Sequence, residues 1–139
     1  MQTPPSKSGY SRLRAALVNE DGTATIEAVI WLPAFFAIFA LIADTSTIFG
    51  SESQVLRIIQ DANRNLSTGY TATVADAQSY IVSHIDHVSP NAVVSTQIAG
   101  NVITTSVEMP LTDITATGLV DVFLSGSVTV SADHVMEEE

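Results

Sequence analysis

An uninterrupted apolar run near the N-terminus limits the possible folds of this chain more than any other feature. From Ala28 to Ala43 the sequence AVIWLPAFFAIFALIA contains no polar side chain. With its flanks, this segment is long enough to cross a hydrocarbon core of roughly 30 Å as a helix. Pro33 lies within it, and membrane helices tolerate a proline where neighbouring groups satisfy the freed carbonyl. The sequence therefore predicts one transmembrane helix over about residues 26–49.

A cleaved secretory signal is the main alternative for this run. Such signals have an apolar region of 7–15 residues followed by a small-x-small cleavage site. Here the run has 16 residues, its later alanines are spaced by three, and no A-x-A follows. A retained anchor is therefore favoured. These alanines would allow close approach of a second helix, although they are equally well explained as filler: Ala34, Ala37, Ala40 and Ala43.

The distribution of basic residues predicts how the anchor is oriented. Three of the five basic residues precede the span, in a Pro- and Ser-rich leader over residues 1–22, and two follow it beside three acidic residues. Because cytoplasmic flanks are enriched in Lys and Arg, the N-terminus is expected in the cytoplasm and residues from about 50 onward in the periplasm. The basic residues are Lys7, Arg12 and Arg14 before the span and Arg57 and Arg64 beyond it, with Asp44, Glu52 and Asp61 near the latter pair.

Charge and composition exclude several functions. The formal net charge is −10, and no Lys or Arg follows Arg64. Such a surface repels phosphate backbones, so nucleic-acid binding is not expected, and solubility is the simplest explanation of the acidity. Cysteine is absent, which rules out thiolate ligands and thiol nucleophiles. No nucleophile elbow or phosphate-binding loop is present. We therefore predict no enzyme activity and no cofactor.

The segment His84-Ile85-Asp86-His87 contains metal-ligand residue types. However, His84 is predicted on the apolar side of a helix, together with Tyr80, and the other two lie near its end. No metal site is predicted there.

Beyond the membrane, the helical pattern continues to Gly69. Apolar residues recur at helical spacing, and we expect them to cover a sheet: Val55, Ile58, Ile59 and Ala62. A shorter helix follows, capped by Thr73 or Asp76. After Pro90 the period changes to two, with a hairpin predicted at Gly100-Asn101 and a third strand near the C-terminus. The predicted fold is α+β: a long helix over residues 23–69, then a domain over 70–139 with a short helix and a three-stranded antiparallel sheet.

The segment DGTATIEAVIWLPAFFAIFALIADTSTIF, with its continuation QVLRIIQDANRNLSTG, resembles the TadE/TadG-like family of pilus assembly proteins. These are pseudopilins of the tight-adherence (Tad) branch of type IV pili. The resemblance lies in a glycine, four residues, a glutamate, and an apolar helix with an early Leu-Pro. EMPLTDITATGLVDVFLSGSVTVSADHVM is similar, more weakly, to the family's C-terminal sheet region. Ala28 stands where Tad pilins have an aromatic residue, and the short chain is closer to the TadE type.

The resemblance implies a pilin-like fold and cutting by a prepilin peptidase between Gly22 and Thr23. Glu27 would become the fifth residue of the mature chain, where it can pair with the new α-ammonium of a neighbouring subunit. The implied partners are other pilins and the Tad assembly machinery. The alternatives for this pair are a flexible joint at Gly22 and a carboxylate at Glu27 that reaches the cytoplasmic headgroups.

The function expected on this basis is structural. The chain is expected in the bacterial inner membrane as a minor pilin or assembly component, which either stays there or enters a surface pilus. An alternative of another class is a signal-anchored periplasmic binding module unrelated to pili. A tethered periplasmic hydrolase is a third possibility, which the lack of catalytic groups disfavours.

Overall fold

The computed structural model describes residues 21–136, with side chains from Thr25 onward. It confirms the α+β class, with a long apolar N-terminal helix and a three-stranded antiparallel sheet. The chain divides into two compact units, Met1–Ile38 and Phe39–Glu139. The basic leader up to residue 20 and the terminal Glu triplet lie outside the described residues. The elements in chain order are α1 Asp21–Ser67, α2 Val74–Ile85, β1 Val93–Ala99, β2 Val102–Pro110, α3 Leu111–Ile114, α4 Leu119–Phe123 and β3 Ser127–Val135.

Helix α1 runs for 47 residues and includes Pro33. It ends at Ser67, two residues before Gly69, whose φ of +73° is a conformation that other residues rarely adopt. The amide of Gly69 donates to the Leu66 carbonyl at 3.3 Å, and that of Thr68 to the Arg64 carbonyl at 3.0 Å. These two bonds satisfy carbonyls that the last turn of a helix would otherwise leave free.

Helix α2 begins at the predicted cap. The Thr73 hydroxyl accepts from the Asp76 amide at 3.1 Å and donates to the Asp76 carboxylate at 2.7 Å. The buried face of α2 consists of Ala77, Ile81 and Ile85, which follow the spacing of four that puts side chains on one side of a helix.

The predicted placement of Tyr80 and His84 on the buried side of α2 is wrong. Tyr80 is 37% exposed, and its ring stacks on the exposed His84 with centroids 4.0 Å apart. Both rings carry polar atoms, and each lies one position before a buried isoleucine of the helix. The sheet is therefore covered by the narrower Ala77, Ile81 and Ile85 stripe.

The sheet has the order β1-β2-β3, with both pairings antiparallel. The predicted hairpin joins β1 to β2: Ala99 pairs with Val102, and Gly100 adopts φ +62° in the two-residue turn. Such turns need positive φ, which glycine adopts without strain. Strand β2 pairs with β3 from Val102 opposite Val135 to Pro110 opposite Ser127.

One face of the sheet packs against the helices and the other faces solvent. Along β2 the even-numbered residues are exposed or half-buried, whereas Ile103, Thr105, Val107 and Met109 are each 0% exposed. This alternation is typical of an antiparallel sheet with one buried face. The main core joins residues of α1, α2, α3 and the sheet: Val55, Ile59, Ala62, Ile81, Ile85, Val107, Met109, Leu111, Ile114 and Val130.

A buried polar chain crosses this core. Thr105 donates to the Asn63 side-chain oxygen at 2.6 Å, and the Thr96 and Thr105 hydroxyls lie 3.0 Å apart. The Asn63 amide nitrogen donates to the Ala132 carbonyl at 3.0 Å. Helix α1 is therefore hydrogen-bonded to β2 and β3, and through Thr105 to β1. Buried polar groups of this kind are costly unless paired, so they fix how the helix lies on the sheet.

Candidate membrane anchor and processing segment

The N-terminal part of α1 is an exposed apolar helix. Every residue from Thr25 to Phe39 is exposed, including large side chains such as Trp31 at 56% and Phe36 at 65%. Within the described residues this is the one helix long and apolar enough to span a membrane, with a mean hydropathy of 2.3 over its most apolar window. Exposed apolar area of this extent marks a surface that contacts lipid or another protein.

Three hydroxyl groups further along α1, those of Thr45, Thr47 and Ser53, are satisfied within the helix. Thr45 donates to the Leu41 carbonyl at 2.7 Å, and Ser53 donates to the Phe49 carbonyl at 2.8 Å. Back-bonding of this type lets Ser and Thr lie on a helix without a partner from outside it. Thr45 and Ser53 therefore need no hydrogen-bond partner from outside the helix.

The residues implied in processing lie at the start of the same helix. Gly22 and Thr23 fall in the first turn of α1, and Glu27 is exposed one turn later. A peptidase that binds an extended substrate would have to unwind that turn before cutting. The exposed carboxylate of Glu27 lies beside Ala28, Trp31 and Leu32, which line a shallow apolar groove on the helix surface.

The alanines proposed for helix packing differ in exposure. Ala34 and Ala37 are exposed, whereas Ala40 and Ala43 are half-buried.

The residues expected to cover the sheet lie close to their predicted places. Val55, Ile59 and Ala62 are at most 1% exposed, and Ile58 is half-buried beside the same core.

A carboxylate at the end of the apolar run is the main feature that sequence reasoning missed. Asp44 follows Ala43 directly and is 0% exposed. Its carboxylate accepts from the Thr117 amide at 2.5 Å, the Thr117 hydroxyl at 2.9 Å and the Val120 amide at 3.0 Å. An Asp in an otherwise apolar segment was the available signal, because such a group needs partners. Its partners, 73 and 76 residues away, could not be read from the sequence.

A second carboxylate, in the connection between β2 and β3, is also held by several hydrogen bonds. Asp113 in α3 accepts from the Ser89 hydroxyl at 2.8 Å and the Asn91 amide at 3.0 Å. The Asn91 side chain adds a further bond at 3.2 Å. Burial raises the pKa of Asp113, but the hydrogen bonds from Ser89 and Asn91 outweigh it and hold that pKa below its ordinary value.

The histidines near the end of α2 have separate partners. His84 Nδ1 lies 2.8 Å from the Tyr80 carbonyl, whereas His87 Nε2 accepts from the Gln54 side-chain amide at 2.9 Å. Over residues 25–136 no three His, Asp or Glu side chains are placed to hold a metal ion together. The groove beside His87 is lined by short polar side chains, including Thr47, Ser51 and Thr115.

Comparison with protein-family models, curated proteins and solved structures finds no match to this chain. The features of this chain that bear on its function are therefore its sequence pattern and the geometry of α1 and the domain it supports.

Proposed function

We propose that this chain is a minor pilin or assembly component of a Tad-type pilus, anchored in the bacterial inner membrane by α1. Its N-terminus lies in the cytoplasm and its acidic α+β domain in the periplasm. Its role is structural, through packing of the apolar helix against other pilins during assembly. A prepilin peptidase and the Tad assembly machinery are its partners.

One observation carries this proposal: a single helix supplies both an exposed apolar segment and the cover of a sheet. Residues 25–39 of α1 are exposed throughout, while Val55 and Ile59 of the same helix are fully buried beneath the sheet. A short sheet is marginal alone and needs such a cover. A helix built in this way couples a membrane anchor to a folded domain, which is what a pilin-like subunit requires.

The outer end of the proposed span lies close to Asp44, short of residue 49, where the sequence pattern alone places it. Residues 26–43 rise about 27 Å as an α-helix, close to the hydrocarbon thickness of roughly 30 Å. Asp44 is enclosed by the Thr117–Val120 backbone, and Ile48 packs against the main core. Asp44 and Ile48 are both in contact with the domain and therefore do not face lipid.

Glu27 supplies the proposed assembly contact. Cleavage after Gly22 would create an α-ammonium at Thr23, and an exposed carboxylate five positions into the mature chain is placed to pair with that group on a neighbouring subunit. In a low-dielectric setting such a pair orients two helices more reliably than it adds net stability, because desolvation offsets much of the attraction.

Processing tests this proposal directly. Co-expression with the prepilin peptidase of its own host should remove residues 1–22, leaving a chain that begins TATIEAVIW, as measured by intact mass. Gly22→Val should block the cut because its side chain crowds the protease site, while insertion persists. Gly50→Val is the matched control: a Cβ added at this exposed glycine of α1 would meet no other part of the chain within 4 Å, so cutting should be normal.

The role of Glu27 has a separate readout. Glu27→Gln keeps the side chain's size and removes its charge without altering the scissile bond. We expect normal cutting and loss of co-purification with other pilus subunits. If the wild-type chain stays full-length in cells whose major pilin is matured, it is not a peptidase substrate. Gly22 would then be a flexible joint, and Glu27 a carboxylate that reaches the headgroups. The periplasmic binding module would then be the better interpretation.

A further inference from the structure

The connection between β2 and β3 carries an exposed apolar cluster, formed by Val122, Phe123 and Leu124. Their side chains are 76%, 73% and 65% exposed. Between Phe39 and Met136 this is the only run of three consecutive large apolar residues that are all exposed. None of the three has a place in the main core, so the fold gives no reason for their apolar character.

Asp44 fixes where this cluster lies along α1. Its carboxylate binds the amides of Thr117 and Val120, and Val120 is the second residue of α4, which ends at Phe123. The cluster therefore begins two residues after Val120, which is hydrogen-bonded to α1 at the end of the apolar run. A fully buried carboxylate with three donors makes this attachment specific.

The surface of α1 around Asp44 is also apolar. Phe39, Ile42 and Phe49 are 65%, 59% and 62% exposed. The apolar surface of the anchor thus continues past Asp44, onto the part of the helix to which the connection is tied.

We propose that the Val122–Leu124 cluster is a second membrane contact, which inserts its apolar side chains into the periplasmic face of the bilayer. This inference rests on the proposed membrane anchoring by α1. Apolar and aromatic side chains beside a span are stabilised at the boundary between headgroups and acyl chains. No Lys or Arg lies in the connection, and Asp121 adds a negative charge. The force is therefore apolar burial, and a zwitterionic lipid surface is the occupant.

This second contact would fix the orientation of the domain on the membrane. A span alone lets a domain rotate about the helix axis and tilt with it. A second contact, tied to α1 through Asp44, would hold one side of the domain against the bilayer before assembly.

Depth-dependent quenching by brominated lipids tests this proposal on the full chain in phosphatidylcholine vesicles. Trp31 is the single tryptophan, so the wild type reports on the anchor. In a Trp31→Phe background, Phe123→Trp and Leu124→Trp report on the cluster at two exposed positions. Tyr70→Trp is the matched control, because Tyr70 is 86% exposed just after α1.

We expect the indole introduced by Phe123→Trp or Leu124→Trp to be quenched most by bromines close to the headgroup, with emission at shorter wavelength than that of the Tyr70→Trp control. Trp31 should be quenched most by bromines deeper in the chains. If Trp31 is quenched while both cluster positions match the control, the second contact is absent although the anchor stands. Emission that responds to protein density and not to bromine position would mean contact between copies and would overturn the proposal. An unquenched Trp31 would overturn the anchor and this inference together.

Discussion

Two carboxylates fix the connection between β2 and β3. Asp44 accepts hydrogen bonds from Thr117 and Val120 in the middle of this connection. Asp113, in α3 at its start, accepts hydrogen bonds from Ser89 and Asn91 in the segment after α2. Each accepts hydrogen bonds from both backbone and side-chain donors, the arrangement that favours an ionised carboxylate. A connection of 16 residues between two paired strands is thereby held in a defined conformation.

Replacing Asp113 by Asn should weaken the domain and change its response to acid. The bonds from Ser89 and Asn91 lower the pKa of Asp113 in the folded state, so its contribution to stability is present above the unfolded pKa, near 4, and is lost as the pH falls through the folded value. We expect Asp113→Asn to reduce the free energy of unfolding at pH 7 by about 1–3 kcal/mol. It should also flatten the loss of stability below about pH 4.

Urea unfolding of the full chain in a neutral detergent, followed by circular dichroism at pH 7 and at acidic pH, measures both effects. Asp133→Asn is the control, since Asp133 is exposed on β3. The interpretation of Asp113 fails if its variant unfolds like the wild type under both conditions.

At the scale of elements, α1 is the component on which the domain depends. Val55, Ile59 and Ala62 enter the main core, and Asn63 adds the polar link to β2 and β3. Helix α2 contributes Ala77, Ile81 and Ile85 to the same side of the sheet. The sheet's other face is exposed or half-buried along β2, so its stability comes from the helical side.

Ile59→Asp should therefore unfold the domain. Ile59 is 0% exposed, and an unpaired carboxylate there would lose the apolar contacts and bury a charge, at a cost of more than about 3 kcal/mol. We expect rapid proteolysis in cells and loss of the urea transition in the purified chain. Gln60→Asp places the same charge on the exposed neighbour and should behave like the wild type. Normal accumulation of Ile59→Asp with a protease-resistant domain would show that the sheet does not need this cover.

At the scale of the whole molecule, charge and apolar character are strongly separated along the chain. All five basic residues lie at or before Arg64, and nine acidic residues follow it. The apolar run of α1 lies between the basic leader and the acidic domain. This order favours retention of the leader in the cytoplasm, whereas acidic segments have little influence on orientation.

Alkaline phosphatase fusions should report this orientation. A fusion after Glu139 should be active, because the enzyme folds only when exported and we propose that the domain lies in the periplasm. A fusion after Leu17, ahead of the apolar run, should stay inactive. The expected contrast comes from three basic residues before the span against two beyond it. An inactive C-terminal fusion that accumulates in membranes would show that the orientation is the opposite of the one proposed.

The sequence by itself determined the features that depend on neighbouring residues. The apolar run, the cap at Thr73 and the Gly100-Asn101 hairpin are encoded within a few positions of where they act. The spacing of Val55, Ile59 and Ala62 likewise predicted the buried side of α1, because a helix repeats every 3.6 residues.

Only the tertiary structure decided which polar residues meet. Asp44 and Thr117 are 73 residues apart, and Asn63 and Thr105 are 42 apart. No local pattern pairs such groups, because their partners depend on how α1 lies across the sheet. The same packing chose Ala77, Ile81 and Ile85 over Tyr80 and His84 for the buried side of α2. Local periodicity allows both faces, and a polar ring atom is less costly in water than in a core without partners.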